Sequence, residues 1–132
     1  MTQTILVVDD EAPIRDVLEK TLTRAGCEVR VAASAEEALE ILRRESIMVM
    51  LLDLHLSGMD GVALCERIRL DNPVAVIYAL TGYTDLFGLL ECRRAGFDDF
   101  FTKPVSLDTL REAAEDAFEK LERWGVAGYE LV

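Results

Sequence analysis

Short apolar runs alternate with amphipathic stretches along the whole chain. The runs are rich in valine, isoleucine and leucine and have the length of buried strands, at positions 4–8, 27–32, 47–52, 74–80 and 97–101. Between them, and after the last, apolar residues recur every three or four positions, as on one face of a helix. The pattern therefore predicts five strands alternating with five helices.

Several polar and glycine residues mark the ends of these helices. Ser34 and Glu37 have the spacing of a capping box, and Ser106 is a candidate N-cap for the last helix. Gly26 and Gly96 follow two of the amphipathic stretches, as C-terminal glycines do. These signals agree with the helices that the apolar periodicity predicts.

An alternation of strands and helices is typical of an α/β protein with a parallel sheet. Right-handed crossovers then favour a doubly wound five-stranded sheet of order 2-1-3-4-5 with helices on both faces, a flavodoxin-like three-layer sandwich. The run at 47–52 is the most hydrophobic and is expected at the sheet centre. The 132 residues suffice for one domain, so we expect a single domain over 1–124 and a short tail over 125–132.

Composition narrows the class of protein. Hydrophobic residues make up 51% and charged residues 30%, a globular balance, and the net charge of −11 argues against nucleic-acid binding by this domain. The three cysteines have no close-spaced partner and fit reduced thiols in a cytoplasmic protein, and zinc is disfavoured by the single histidine. With no signal peptide and no apolar run long enough to span a bilayer, we expect no association with a membrane.

Polar side chains follow four of the five predicted strands. Asp9 and Asp10 follow the first strand, Asp53 the third, Thr81 the fourth and Lys103 the fifth. In an open parallel sheet the functional crevice lies outside the carboxyl ends of the strands, and strands 1 and 3 are neighbours at the switch point. We therefore expect these side chains to converge.

Such a convergence indicates phosphoryl chemistry. Three carboxylates repel one another unless a positive group joins them, and Lys103 and a hard divalent cation, Mg²⁺ or Mn²⁺, are the two candidates. An aspartate can act as a nucleophile toward phosphorus while a lysine pairs with a phosphoryl oxygen. The alternative for Asp9 and Asp10 alone is that they simply end a strand and begin a helix.

At these residues the chain resembles the receiver domain of two-component response regulators, the CheY-like family. The resemblance covers about residues 4–122. It is carried by the Asp-Asp pair after strand 1, by Leu-Asp-Leu-x-Leu-x-Gly-Met-Asp-Gly around Asp53, by Thr-Gly after strand 4, and by Ala-Gly-Phe-Asp-Asp-Phe-Phe-Thr-Lys-Pro around strand 5.

The resemblance implies the role of each acidic residue. Asp53 would be the phosphoacceptor. Asp10, Asp53 and the backbone carbonyl of His55 would hold Mg²⁺, and Asp9 would act through a metal-bound water.

The resemblance also implies a switch. Lys103 would contact the acyl phosphate, and Thr81 would be drawn to the phosphoryl group in a segment that Gly82 makes easier to move. Phe100 holds the aromatic switch position, without the hydroxyl of the tyrosine often found there. The Lys103–Pro104 bond is expected to be cis.

Two departures from the family pattern lie beside the expected site. Ser57 replaces the proline that is common in the loop after the phosphoacceptor, which predicts a less constrained loop. His55 and Tyr83 hold the positions two residues after Asp53 and Thr81, which tune the lifetime of the phosphoryl group in the family. We expect their rings to hinder water and slow self-dephosphorylation.

As a receiver, the protein would be a switch rather than an enzyme, with only self-phosphorylation and self-dephosphorylation. Its partners would be a sensor histidine kinase or phosphotransfer protein and an output partner or output domain, reached through the helix 4–strand 5–helix 5 face, which would also suit a homodimer.

Three other readings compete. A phosphatase of the haloacid-dehalogenase type needs its nucleophile after the first strand with a second aspartate two residues on, whereas Glu11 stands there. A flavodoxin-like cofactor binder needs a hydroxyl- and glycine-rich loop after strand 1. A receiver-like protein could also bind partners without phosphorylation.

Overall fold

The computed structural model describes residues 3–82 and 86–125. Ten elements alternate along these ranges: β1 (Thr4–Val8), α1 (Ala12–Arg24), β2 (Glu28–Ala32), α2 (Ala35–Arg44), β3 (Val49–Asp53), α3 (Gly61–Asp71), β4 (Val76–Thr81), α4 (Leu86–Ala95), β5 (Asp99–Thr102) and α5 (Leu107–Arg123).

The strands form one parallel sheet in the order β2-β1-β3-β4-β5, as predicted. β3 lies at the centre, and all five of its residues are buried. In the register of the sheet, Val8 of β1 pairs with Leu52 of β3. The residues that come next, Asp9 and Asp53, therefore lie at the same edge of the sheet. The reversal of strand order between β1 and β3 thus brings the first two acidic strand ends together.

Two apolar layers cover the two faces of the sheet. On one face, strand residues such as Leu6, Met50 and Ile77 pack with α2, α3 and α4. On the other face, Ile5, Val49 and their neighbours pack with α1 and α5. Because successive strand residues point to opposite faces, these continuous apolar runs supply both layers, and the doubly wound sandwich is confirmed.

The four helix ends for which the sequence predicts a capping residue all have it. Ser34 Oγ accepts from Glu37 N at 3.1 Å, and Ser106 Oγ accepts from Thr109 N at 3.1 Å. The return bond of the capping box goes from Ala33 N to Glu37 Oε2 at 2.8 Å, one residue earlier than the usual pattern. Gly26 and Gly96 have φ of 96° and 104°, left-handed values that end α1 and α4.

Strand boundaries differ from the prediction by one or two residues. β3, β4 and β5 each begin two residues later, and each extends one residue further, to Asp53, Thr81 and Thr102. Ile47 and Phe97 are buried although they precede the paired residues. The apolar pattern reports burial, whereas the strand limits follow the hydrogen-bonded ladder. No helix within the described ranges could cross a membrane, since none is both long and apolar enough.

Candidate functional site

The carboxyl ends of four strands place the predicted polar side chains at one edge of the sheet. Among the described residues, the buried polar or charged side chains are Asp9, Asp53 and Thr81, which are 0%, 3% and 2% exposed. The amino group of Lys103 lies against the first two. Burying acidic groups is costly unless they are paired, so this cluster is the feature of the fold that demands a chemical explanation.

Asp9 is held from three directions. Its Oδ1 accepts from the backbone N–H of Glu11 at 2.9 Å, and its Oδ2 accepts from Lys103 Nζ at 2.8 Å. Its backbone carbonyl accepts from Arg15 Nη1 at 2.7 Å. Glu11 and Lys103 therefore fix the Asp9 carboxylate, and Arg15 of α1 fixes its backbone.

Asp53 is the last residue of β3 and is held by the loop that follows. Its Oδ1 accepts from the backbone N–H of His55 at 3.1 Å, and its Oδ2 lies 3.4 Å from Lys103 Nζ. Leu54 N donates to Leu80 O at 3.0 Å, which keeps this end of β3 against β4. These contacts hold the carboxylate beside Lys103 at the carboxyl edge of the sheet.

The close packing of Gly61 against the end of β3 also positions Asp53. Its N–H donates to Leu54 O at 3.1 Å, and a Cβ at this position would lie 2.8 Å from Leu54 Cα and closer still to the Asp53 carbonyl oxygen. Only glycine lets the first residue of α3 approach the backbone of Asp53 so closely.

Opposing effects set the ionisation of the cluster. Burial raises the pKa of Asp53, the His55 N–H lowers it, the neighbouring Asp9 raises it and Lys103 lowers it, with a net rise. Burial would lower the pKa of Lys103, but its hydrogen bond to Asp9 and the charges of both carboxylates leave it raised. Lys103 is thus a firmly positive partner for two crowded carboxylates.

Oxygen atoms of Asp9, Asp10 and Asp53 lie within 4.8 Å of one another. The first and last are buried, whereas Asp10 is exposed and faces the solvent side of the cleft. Three hard oxygen donors at this spacing, one of them on an exposed residue, suit the octahedral shell of Mg²⁺ or Mn²⁺, which retains several waters. His55 adjoins the cluster through its backbone. The donor set therefore fits the predicted metal.

Thr81, Phe100 and Lys103 connect the cluster to β4 and β5. Lys103 N donates to Thr81 O at 2.7 Å, and Thr81 pairs with Thr102 in the sheet register. The peptide bond between Lys103 and Pro104 is cis, as predicted. Phe100 is half-buried against the apolar layer that packs with α2, α3 and α4. Gly82 is exposed, and a Cβ placed on it would meet no atom within 4 Å.

A cleft of about 460 Å³ adjoins the cluster between the loop after β3 and α4. Asp10, His55, Ser57 and Thr81 are among its lining residues, so the candidate tuning residue His55 does stand at the site. Tyr83, its predicted counterpart, lies outside the described residues.

Sequence reasoning missed Arg15 and the second role of Gly61. The Arg15 side chain acts on a backbone carbonyl, for which no motif exists, and Gly61 enters the sequence pattern only as the last residue of the motif around Asp53. The signal for Gly61 was its position eight residues after a buried strand end, at the first residue of a helix that must pack on that strand.

The chain belongs to the response regulator receiver domain family, whose model matches residues 5–115. It is 38% identical over 115 residues to the response regulator protein PilR of Pseudomonas aeruginosa, covering 87% of this chain and 26% of that protein. It is 36% identical over 108 residues to a cyclic di-GMP phosphodiesterase of Thermotoga maritima, covering 82% of this chain and 29% of that protein.

Among solved structures, a CheY-like receiver domain protein from Methanospirillum hungatei JF-1 superposes with a TM-score of 0.86 at 31% identity, covering 93% of this chain and 99% of that one. The protein is therefore a receiver domain of a two-component response regulator, a family of signalling switches. This membership overturns the phosphatase and cofactor-binding alternatives. The chain spans between 26% and 49% of the length of the first curated relatives it matches.

Proposed function

We propose that Asp53 accepts a phosphoryl group from a phosphohistidine of a sensor histidine kinase or a phosphotransfer protein. The observation that carries this proposal is a buried aspartate whose Oδ2 lies 3.4 Å from Lys103 Nζ, in a cluster of three carboxylates of which Asp10 is exposed. This is the arrangement that an aspartyl nucleophile with cationic support requires.

In the transfer step, a carboxylate oxygen of Asp53 attacks the phosphorus in line with the P–N bond of the donor. The O–P bond forms as the P–N bond breaks, and the bonding electron pair returns to the imidazole ring, which takes up a proton. The product is an acyl phosphate on Asp53 and a free histidine. Lys103 pairs with a phosphoryl oxygen, and the His55 N–H keeps the second carboxylate oxygen in place.

Asp9, Asp10, Asp53 and the backbone carbonyl of His55 are the residues that would hold Mg²⁺ or Mn²⁺. When bound, the ion supplies neutralisation of the phosphoryl oxygens and of the crowded carboxylates. Arg15 and the Glu11 N–H hold Asp9 ready for this role by fixing its backbone and its Oδ1.

Phosphorylation then acts as a charge switch. It adds roughly −1.5 to −2 charges and strong acceptor oxygens, which attract Lys103 and the Thr81 hydroxyl. Movement of Thr81 leaves room for Phe100 to turn inward, and the population of the α4–β5–α5 face shifts. Gly82 gives the backbone after Thr81 the freedom to follow.

We further propose that residues 1–124 form the receiver and 125–132 a tail, and that the protein works in the cytoplasm. Output would pass through the α4–β5–α5 face to a partner or an output domain, or by homodimer formation, with no nucleic acid or membrane bound by this domain. No catalytic turnover is expected beyond gain and loss of its own phosphoryl group.

The test is the intact mass of the chain after incubation with acetyl phosphate and Mg²⁺. We expect one phosphoryl adduct, lost in Asp53→Asn and in excess chelator. Asp60→Asn is the matched control, because Asp60 is exposed and caps α3 by accepting from Ala63 N at 2.8 Å, a role that asparagine also fills.

Retention of the adduct in Asp53→Asn would overturn the assignment of the phosphoacceptor. An adduct that forms equally well in excess chelator would overturn the role of the metal. Failure of folded wild-type chain to form an adduct, with both acetyl phosphate and a phosphorylated histidine kinase as donors, would favour a module that binds its partners without phosphorylation.

A further inference from the structure

A second polar cluster lies at the end of the sheet opposite Asp53. Arg69, near the end of α3, donates from Nε to Gly96 O at 2.9 Å and from Nη2 to the same oxygen at 2.7 Å. Its Nη1 donates to Ala75 O at 2.6 Å, just before β4. One guanidinium therefore joins α3 to the end of α4 and to the start of β4.

Asp98, the residue before β5, completes this cluster. Its Oδ2 lies 2.8 Å from Arg69 Nη2 and accepts from Ile77 N at 2.8 Å, while its Oδ1 accepts from Lys120 Nζ of α5 at 3.2 Å. The side chains of Arg69 and Asp98 are 19% and 23% exposed. This degree of burial makes the pair stronger than an exposed surface ion pair.

Cys65 and Arg69 of α3 each contact a carbonyl at the C-terminal end of α4, where carbonyl oxygens have no N–H donor within the helix. Cys65 Sγ is 3.5 Å from Ala95 O, and Arg69 binds Gly96 O as described. Gly96 has a φ of 104°, and a Cβ there would lie 2.9 Å from Arg69 Cγ. The C-terminal end of α4 is thus closely fitted to α3.

α4 also borders two clefts along its length. The cleft of about 460 Å³ is lined by Gly88 and Glu91 together with Thr81. A second cleft, of about 220 Å³, is lined by Leu89 and Arg93 together with Phe100, and it reaches Phe97 and Asp98 beside the anchored end. Each of the two residues proposed to rearrange on phosphorylation, Thr81 and Phe100, therefore lines one of the two clefts.

We propose that Arg69 and Asp98 are positioning residues that pin the C-terminal end of α4, so that the helix pivots about Gly96 and its N-terminal half carries the movement. The coupling of this pivot to phosphorylation rests on the proposed function. Movement of Thr81 and Phe100 changes the space on the two sides of α4. Because Arg69 and Asp98 hold its C-terminal end, the helix responds by rotating about that end rather than by shifting as a whole.

The test is hydrogen exchange of single amides, followed by NMR on the full chain. The amides of Leu90 and Glu91 are compared with those of Gly96 and Phe97, which donate to Arg93 O at 3.2 Å and Cys92 O at 3.1 Å. In the unphosphorylated chain we expect Gly96 and Phe97 to be protected roughly tenfold more than Leu90 and Glu91, because local opening is least where a segment is anchored.

Arg69→Gln should remove this difference. Arg69→Lys keeps the positive charge but not the planar guanidinium. It should lose part of the difference in amide protection while disturbing the fold less. Arg67→Gln is the matched control, because it removes an arginine of the same helix. The ion pair that Arg67 forms with Asp71, with Nη1 3.1 Å from Oδ2, is exposed. Circular dichroism checks that each variant is folded.

On phosphorylation with acetyl phosphate and Mg²⁺, protection in the wild type should change at Leu90 and Glu91 and stay within about twofold at Gly96 and Phe97. In Arg69→Gln or Arg69→Lys the changes should reach both ends of the helix. Equal changes at both ends in the wild type, or Arg69 variants that match Arg67→Gln, would overturn the pivot.

Intact mass of the same samples separates the two proposals. Absence of an adduct would count against the proposed phosphorylation. The anchoring of α4 by Arg69 and Asp98 would then be tested by the difference in amide protection along the unphosphorylated helix. Equal protection at the two ends of the unphosphorylated helix would overturn the anchoring role of Arg69 and Asp98.

Discussion

The amino group of Lys103 lies 2.8 Å from Asp9 Oδ2, although β3 and β4 separate the strands that these two residues follow. The lysine side chain spans the carboxyl edge of the sheet, and its Nζ also lies 3.4 Å from Asp53 Oδ2. It thus supplies the positive charge that allows buried carboxylates to share one cleft.

Replacement of this lysine should therefore destabilise the metal-free protein. We expect Lys103→Met to lower the free energy of unfolding in chelator by about 2 kcal/mol, below the usual cost of breaking a fully buried pair because Lys103 is 19% exposed. Added Mg²⁺ should recover more stability in the variant than in the wild type, since a metal that binds the folded state compensates for the lost cation.

Urea unfolding with and without Mg²⁺ measures both effects. Lys20→Met is the control, because Lys20 is exposed on α1 and its replacement should change stability by less than about 0.5 kcal/mol. A Lys103→Met variant as stable as this control in chelator would contradict the role of Lys103.

Ionisation of Asp53 should oppose folding. Its pKa is raised in the folded protein, chiefly by burial, so the stability linked to its protonated form is present below the ordinary pKa of an aspartate and is lost as the pH rises through the folded value. Asp53→Asn should therefore be more stable than the wild type at pH 7, and the difference should shrink on acidification toward pH 4.

Chemical unfolding across this pH range in chelator is the measurement. Asp60→Asn again serves as the control, because it makes the same chemical change at an exposed residue. An Asp53→Asn variant that is less stable than the wild type at pH 7 would show that Lys103 more than offsets burial of the charge.

The approach of Gly61 to the backbone at Asp53 gives a steric prediction. Gly61→Ala should lower the free energy of unfolding by about 3 kcal/mol, because the added methyl meets backbone atoms that cannot move aside. Gly82→Ala is the control: its Cβ would meet nothing within 4 Å, and its effect should stay below about 1 kcal/mol. Thermal unfolding of the two variants side by side measures the contrast, and equal losses would contradict it.

The sequence allowed the convergence of Asp9, Asp53, Thr81 and Lys103 to be predicted because alternating strands and helices have few allowed topologies, and each topology determines which strand ends meet. The contact of Arg69 with Asp98 joins residues 29 positions apart, one on a helix and one just before a strand, and neither periodicity nor a motif indicates it. Such side-chain networks depend on where helix ends fall to within one residue, which the apolar pattern does not resolve.

Tyr78 should make the protein sensitive to alkali. Burial, followed by nearby acidic charges, raises the pKa of Tyr78 to about 12, and its hydroxyl donates to Ala113 O at 3.2 Å. A raised pKa in the folded state means that stability is complete below pH 10 and falls as the pH rises toward 12, by about 2–3 kcal/mol for a shift of this size.

Tyr78→Phe keeps the ring that packs edge-on against Phe101 with centroids 5.3 Å apart, and should lose this part of the alkaline decline. Unfolding by urea at pH 9 and at pH 11.5 compares the variant with the wild type. Both proteins share every other alkaline ionisation, so the difference between them isolates Tyr78. An equal decline in both would show that the hydroxyl ionises without opposing folding.

The exposed ring of His55 should slow loss of the phosphoryl group. It lines the cleft beside Asp53, where attacking water must enter, so that His55→Ala should speed self-dephosphorylation by roughly twofold to tenfold, up to about 1.4 kcal/mol in the barrier. Decay of the phosphoryl adduct followed by intact mass after removal of acetyl phosphate gives the rate. Ser57→Ala, on the wall of the same cleft but with a small side chain, should decay within about twofold of the wild type. A rate in His55→Ala that is unchanged or slower would mean that the ring does not obstruct water.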